Sequence, residues 1–193
     1  MTIVPRWEWR TFGDDFGHAE EVFASLESEG VQESDEVYLL STRSDASVKV
    51  RDGLMDVKEL QSVNDDGLEE WKPVLKAAYP LAADDVRAVL AALAVEAPEL
   101  VRAEYTLDQL VGEVIDPSPD LRAVDVHKHR DHYTVGGAMA ELSEIGTDQG
   151  SRRTIAVESE DPALVVAAVG ELGLPLSPNV CLPRGLKALI GFA

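Results

Sequence analysis

The sequence predicts an α+β fold in which eight antiparallel strands close into a β-barrel, or tunnel, with flanking helices. Three observations lead there. First, strand-like stretches carry charge on every second residue, as in Ser47-Val48-Lys49-Val50-Arg51 and Val126-His127-Lys128-His129-Arg130. A strand sends alternate side chains to opposite faces, so Lys49 and Arg51 share one face and Val48 and Val50 the other. Second, strand candidates outnumber helix candidates about two to one and are joined by short turns. Third, antiparallel strands lose their exposed edges only by closing, and in a closed barrel inward and outward residues alternate on every strand.

Residues 3–12 read as the first strand, with Arg6, Glu8 and Arg10 on one face and Trp7 and Trp9 on the other. Asp15 to Glu29 reads as a helix, since Phe16, Ala19, Val22, Phe23 and Leu26 recur at helical spacing and Gly30 stops it. Residues 36–43 form a strand, and 47–51 with 54–61 form a hairpin about the turn pair Asp52-Gly53. Asn64 to Gly67 is a polar loop, and 69–76 fits neither period. Residues 82–95 form a helix with Val86, Val89, Leu90 and Leu93 on one face.

Four further strands follow at 100–107, 121–133, 138–145 and 152–159, with Asp116-Pro117-Ser118-Pro119-Asp120 breaking the chain before the second of them. Gly136-Gly137 and the stretch Gly146 to Gly150 supply turns. Asp161 caps a helix that carries Pro162 in its first turn and ends at Gly173. Pro183 opens a short terminal helix from Arg184 to Ile190. No composition break divides residues 1–193, so one domain is expected. If the charged faces point inward, Trp7, Trp9, Val48, Val50, Val57, Ile155 and Val157 face outward and need the helices as cover.

The net charge of −19 excludes non-specific binding to nucleic acid and to an anionic membrane surface. It leaves room for an internal basic pocket, because it does not say where the 17 Lys and Arg lie. Cys181 is the only cysteine, which rules out an internal disulfide and a cysteine-based zinc site. Flanked by Val180 and Leu182, it reads as a packing residue. With no signal-peptide pattern and no long apolar run, a cytoplasmic location is expected. His127 and His129 share the face opposite Lys128 and read as strand surface, not as a metal cluster.

Six charged motifs occur in a fixed order: Arg6-Trp7-Glu8-Trp9-Arg10, Lys49-Val50-Arg51, Asp56-Val57-Lys58, Lys128-His129-Arg130, Ala140-Glu141-Leu142-Ser143-Glu144 and Glu158-Ser159-Glu160. In that order they resemble the CYTH, or triphosphate tunnel metalloenzyme, superfamily. Leu182-Pro183-Arg184-Gly185-Leu186-Lys187 is similar to the C-terminal end of some members. The resemblance implies a tunnel that holds a triphosphate group with Mg²⁺ or Mn²⁺ and hydrolyses it or cyclises ATP. It implies phosphate contacts from Arg6, Arg10, Lys49, Arg51, Lys58, Arg102, Lys128 and Arg130, and metal contacts from Glu8, Glu158 and Glu160. Glu8, Arg10 and Glu141 are then the expected catalytic residues, Glu141 being favoured over Glu144 because it shares a face with Ser143. Arginine suits bidentate phosphate contacts, lysine supplies point charges, and hard divalent ions want carboxylate oxygen.

The chain departs from the family pattern at its first motif, where the leading acid is Arg6 and the closing lysine is Arg10. Metal binding then rests on Glu8, Glu158 and Glu160 with help from Glu141 or Glu144, or catalysis has been lost. Four readings follow: a metal-dependent triphosphatase acting on inorganic, nucleoside or thiamine triphosphate; a non-catalytic module that binds triphosphate or polyphosphate; an adenylate cyclase of the class IV type; and a protein whose charged strands are merely exposed. A homodimer would cover the outer strand surfaces.

Overall fold

A computed structural model describes residues 4–192. Eight antiparallel strands close into a barrel: β1 (Arg6–Gly13), β2 (Gly30–Ser41), β3 (Ser47–Arg51), β4 (Leu54–Val63), β5 (Glu69–Ala78), β8 (Leu121–Val135), β9 (Ala138–Thr147) and β10 (Gly150–Ser159). Around the ring the order is β1-β10-β9-β8-β2-β3-β4-β5, and β5 returns to β1. The expected barrel is therefore present, with one strand exchanged. Residues 69–76, unassigned by period, fall within β5. Residues 100–107 supply only β7 (Glu104–Tyr105), which pairs with β6 (Leu81–Ala82) outside the barrel.

The period of β5 is unreadable because the strand is bulged. Val57 pairs with Leu75 but Lys58 pairs with Pro73, so Val74 has no opposite number. An extra residue reverses the alternation. Leu75 and Ala77 pack outward against Val57 and Met55, whereas Trp71 faces the lumen. The Asp52-Gly53 turn behaves as expected, since both residues have positive φ (52° and 73°) as the tight hairpin turn requires.

The helices cover the outside in two groups. Helices α1 (His18–Ser25) and α4 (Pro162–Glu171) bury Trp9, Ala140, Ile155 and Val157. Helix α2 (Ala83–Ala92) and the short α3 (Leu107–Leu110), which runs into a π-helical turn at Val111–Ile115, bury Leu39, Val48, Val50, Met55 and Val57. The residues expected to face outward under helices, Trp9, Val48, Val50, Val57, Ile155 and Val157, lie in these two clusters. Asp161 caps α4 by accepting from the Ala163 N–H.

A third apolar cluster lies inside the barrel. Helix α5 (Leu182–Ile190) sends Leu182 and Leu186 against Tyr38, Leu40, Val124, Val126 and Ile145. Tyr38 and Leu40 are in phase with each other on β2, and Val124 and Val126 are in phase with Lys128 on β8, so this cluster occupies one end of the lumen. Lys187 ties α5 to the Ser41 and Ser44 carbonyls and to Asp45. The segment before α5 seals the barrel where β5 pairs with only three residues of β1. There Asn179 accepts from the Arg10 N–H and donates to the Glu8 and Gly67 carbonyls, Val180 donates to the Arg10 carbonyl, and Trp9 Nε1 donates to the Leu176 carbonyl.

A Cβ at Gly185 would fall inside the Phe12 ring, so only glycine lets α5 seat this closely. Gly185→Ala is expected to lower stability by about 1–3 kcal/mol, the usual cost of overpacking, as read from urea unfolding.

Candidate functional site

Strand phase sets the lining of the lumen. Glu8 and Arg10 on β1, Lys49 and Arg51 on β3, Asp56 and Lys58 on β4, Lys128, Arg130 and His132 on β8, Glu141 on β9 and Glu158 on β10 surround a cavity of about 280 Å³. Lys128, Arg130 and Arg10 are buried, an unusual place for cations without partners.

Their partner on the basic side is Glu36 of β2, whose side chain has no exposure to solvent. Lys128 Nζ lies 3.0 Å from it, Lys49 Nζ 3.3 Å, and the Arg51 and Arg130 guanidinium groups 3.6 Å each. Ser34 donates to Glu36 at 3.1 Å and accepts from Arg130 at 2.7 Å. Burial works against the Glu36 carboxylate, but Lys128, Lys49 and Arg130 overcome it and bring its pKa down to about 2. Burial, with Lys49 adjacent, pulls Lys128 down to about 7 despite Glu36, and its ammonium donates to the Tyr38 hydroxyl at 2.6 Å. The Arg130 Nε and Ser143 Oγ are buried and have no hydrogen-bond partner.

The other side of the lumen carries the acids. Glu8 and Glu158 are directly paired across β1 and β10, and Glu141 is paired with Ala156 beside them. Arg10 bridges Glu8 (3.2 Å) and Glu141 (2.9 Å) and donates to Thr154 (3.3 Å). Burial would lower the Arg10 pKa, but Glu141 and Glu8 push it above the ordinary arginine value. Arg6 holds Glu158 at 2.9 Å and reaches the Met139 sulfur.

Two expected site residues lie elsewhere. Arg102 is outside the barrel, in the irregular segment before the two-residue β7, in an exposed ion pair with Glu113 (2.8 Å). Its expected strand does not form, so sharing a face with Glu104 brings it nowhere near the lumen. Glu160 lies past the end of β10, exposed, because the chain bends there to enter α4. Arg6 stands at the rim, half-exposed, with Glu158 between it and the cavity. Among the described residues, no three His, Cys, Asp or Glu side chains group as a metal site. Of the donor set expected for Mg²⁺ or Mn²⁺, Glu160 is exposed past the strand end, and the three acids in the lumen are engaged by arginine: Glu158 is paired with Arg6, and Glu8 and Glu141 share Arg10. These residues do not fit a divalent ion as they stand.

His127 and His129 are exposed on the outer face beside Asp35 and Glu33, as strand phase requires, while His132 lines the cavity. Cys181 is buried at the start of α5, and burial pushes its thiol up to about 12, so it packs and does not attack. Glu36 was the main residue not assigned from sequence. Its signal was present, since Glu36 alternates with Val37 and shares phase with Tyr38, but a lone acid at a strand start has no motif.

Comparison with protein-family models finds no match, and neither does comparison with the curated proteins. Among solved structures, the chain is similar to HpAC1 from Hippeastrum, a proposed adenylyl cyclase described as having a dominant triphosphatase activity (13% identity, TM-score 0.50, covering 95% of this chain and 96% of that one). It is also similar to a proposed adenylate cyclase from Bacillus halodurans (11% identity, TM-score 0.50, covering 92% and 95%). At these identities the likeness is one of fold.

Glu36 ionised stabilises the fold fully above its ordinary 4.5, and that contribution is lost as pH falls from 4.5 through about 2. Glu36→Gln leaves the basic cluster uncompensated and is expected to cost about 3 kcal/mol at pH 7. Urea unfolding at pH 7 checks the loss, and a pH series checks that the variant no longer weakens across that acid window.

Proposed function

We propose that the tunnel receives the triphosphate group of a small anion, such as inorganic triphosphate or a nucleoside or thiamine triphosphate. The observation that carries this reading is the convergence of Lys49, Arg51, Lys128 and Arg130 on one buried carboxylate, with the buried Arg130 Nε left without a hydrogen-bond partner. Several cations around a small cavity match an anion of high charge density, and arginine forks match phosphate oxygens. Oxygens of the entering group take up the donors that Glu36 only partly satisfies at 3.3–3.6 Å.

Hydrolysis of a phosphoanhydride bond is the second reading, favoured by Glu8 and Glu141 in the lumen. Each accepts from Arg10 through one oxygen, Oε1, and keeps the other for a water. Such a water would attack a phosphorus held by the basic side, with the carboxylate taking its proton. The dominant triphosphatase activity described for the Hippeastrum protein supports this reading through the shared fold. Binding without turnover follows if the Arg10 bridge holds both acids too firmly to orient that water.

Calorimetric titration with inorganic triphosphate, run beside phosphate-release assays on triphosphate and ATP, separates these outcomes. Micromolar binding that Lys49→Ala weakens at least tenfold supports the tunnel reading, and no binding overturns it. Phosphate release that Glu141→Gln abolishes establishes hydrolysis. Because Lys128 titrates near 7 in the empty tunnel, binding at pH 7–8 is expected to take up a proton. Titration in buffers of different ionisation enthalpy measures that uptake.

A further inference from the structure

We infer that this tunnel binds its anion free of divalent metal, with the guanidinium groups of Arg6 and Arg10 supplying the charge that a cation would otherwise bring to the lumen acids. The inference rests on the triphosphate reading above and concerns the form in which the ligand enters.

The lumen has two unlike sides. Strands β8, β2, β3 and β4 present the cationic cluster, and β1, β10 and β9, across the barrel, present Glu8, Glu158 and Glu141. An oligophosphate held by the first side lies against three carboxylates on the second. Uncompensated, these would repel it at close range in a low dielectric. A divalent ion is one way to bridge phosphate and carboxylate oxygens. The geometry uses another. Arg10 is placed between Glu8 and Glu141 by its strand phase, and Arg6, two residues from Glu8 on the same strand face, covers Glu158.

This compensation is permanent, since a guanidinium does not lose its proton in a protein. It is also costly to displace. Arg10 is buried and bonds to one oxygen of Glu8, one oxygen of Glu141 and the Thr154 hydroxyl, so a metal that took those two oxygens would leave a buried cation held by Thr154 alone. The third acid is held at the rim by a residue with room to move, which makes Arg6 the accessible point of test. Of the other carboxylates, Asp56 lines the cavity on the basic side, paired in register with Lys49 and Lys76, while Glu160 is exposed and Glu69 is engaged by Arg184 and Trp71.

Full-length protein freed of metal with EDTA is titrated with inorganic triphosphate, then again with excess Mg²⁺ or Mn²⁺. Binding in EDTA that metal leaves unchanged or weakens, as Mg²⁺ sequesters the free anion, supports the inference. Binding seen only with metal, or at least tenfold tighter with it, overturns the inference and leaves the triphosphate reading standing. Absence of binding in both conditions overturns the triphosphate reading itself. Arg6→Ala, a half-exposed position where folding is not at risk, is expected to raise Kd in EDTA by about fivefold, the upper range for an exposed pair, and Mg²⁺ is expected to recover part of that loss. An unchanged Kd for this variant in EDTA overturns the role of Arg6. Saturable Mn²⁺ binding by the wild type without anion, read by electron paramagnetic resonance, overturns the inference as well.

Discussion

The barrel depends on one carboxylate. Four cations approach Glu36 within hydrogen-bonding or ion-pair reach, and two of them, Lys128 and Arg130, are buried. Charges taken out of water repay their desolvation only when geometry is good and other polar groups complete the network. Here Ser34 and Tyr38 complete it. The same arrangement on the opposite side is inverted, with one arginine between two acids. The two clusters fix which way each strand points, since a one-residue slip would turn the lumen charges outward and the apolar outer residues inward.

The exterior obeys a different rule. Helices α1 and α4 need Trp9, Ile155 and Val157 as their floor, and α2 and α3 need Val48, Val50 and Val57. Each covered strand therefore serves a dry outer layer and a charged inner one at once. This separation reconciles a chain of net charge −19 with a basic interior. The excess acid lies outside, in stretches such as Asp14-Asp15 and Asp65-Asp66, all exposed or half-exposed. That outer field disfavours nonspecific polyanions, whereas the lumen gathers the cations.

How much of this the sequence disclosed depends on whether the deciding interaction was local. Alternation is local, and it placed Lys49, Arg51, Lys58, Lys128, Arg130, Glu141 and Glu158 on lumen-facing positions, with Trp9 and Val48 behind them. The exchange of β5 for 100–107 was not legible, because the bulge at Val74 erases the period of β5, while 100–107 has alternating residues but pairs over only two of them, with β6 outside the barrel. Glu160 has the right phase, yet the Asp161 cap and Pro162 end the strand before it. Glu36, Asn179 and the inward seat of α5 act through partners far away in sequence, and no motif announces them. The pairing of Arg6 with Glu158 is of the same kind: sequence shows an arginine where an acid was expected, and only the fold shows which acid it holds.

The seating of α5 changes what kind of vessel the barrel is. With Leu182, Leu186 and Phe192 packed among Tyr38, Leu40 and Val126, one end is stoppered by the chain itself. What remains is a socket with a single mouth. Anything that enters must leave by the way it came, so a leaving group and a residual anion cannot depart in opposite directions. A long polymer cannot be drawn through, and only its terminus could dock.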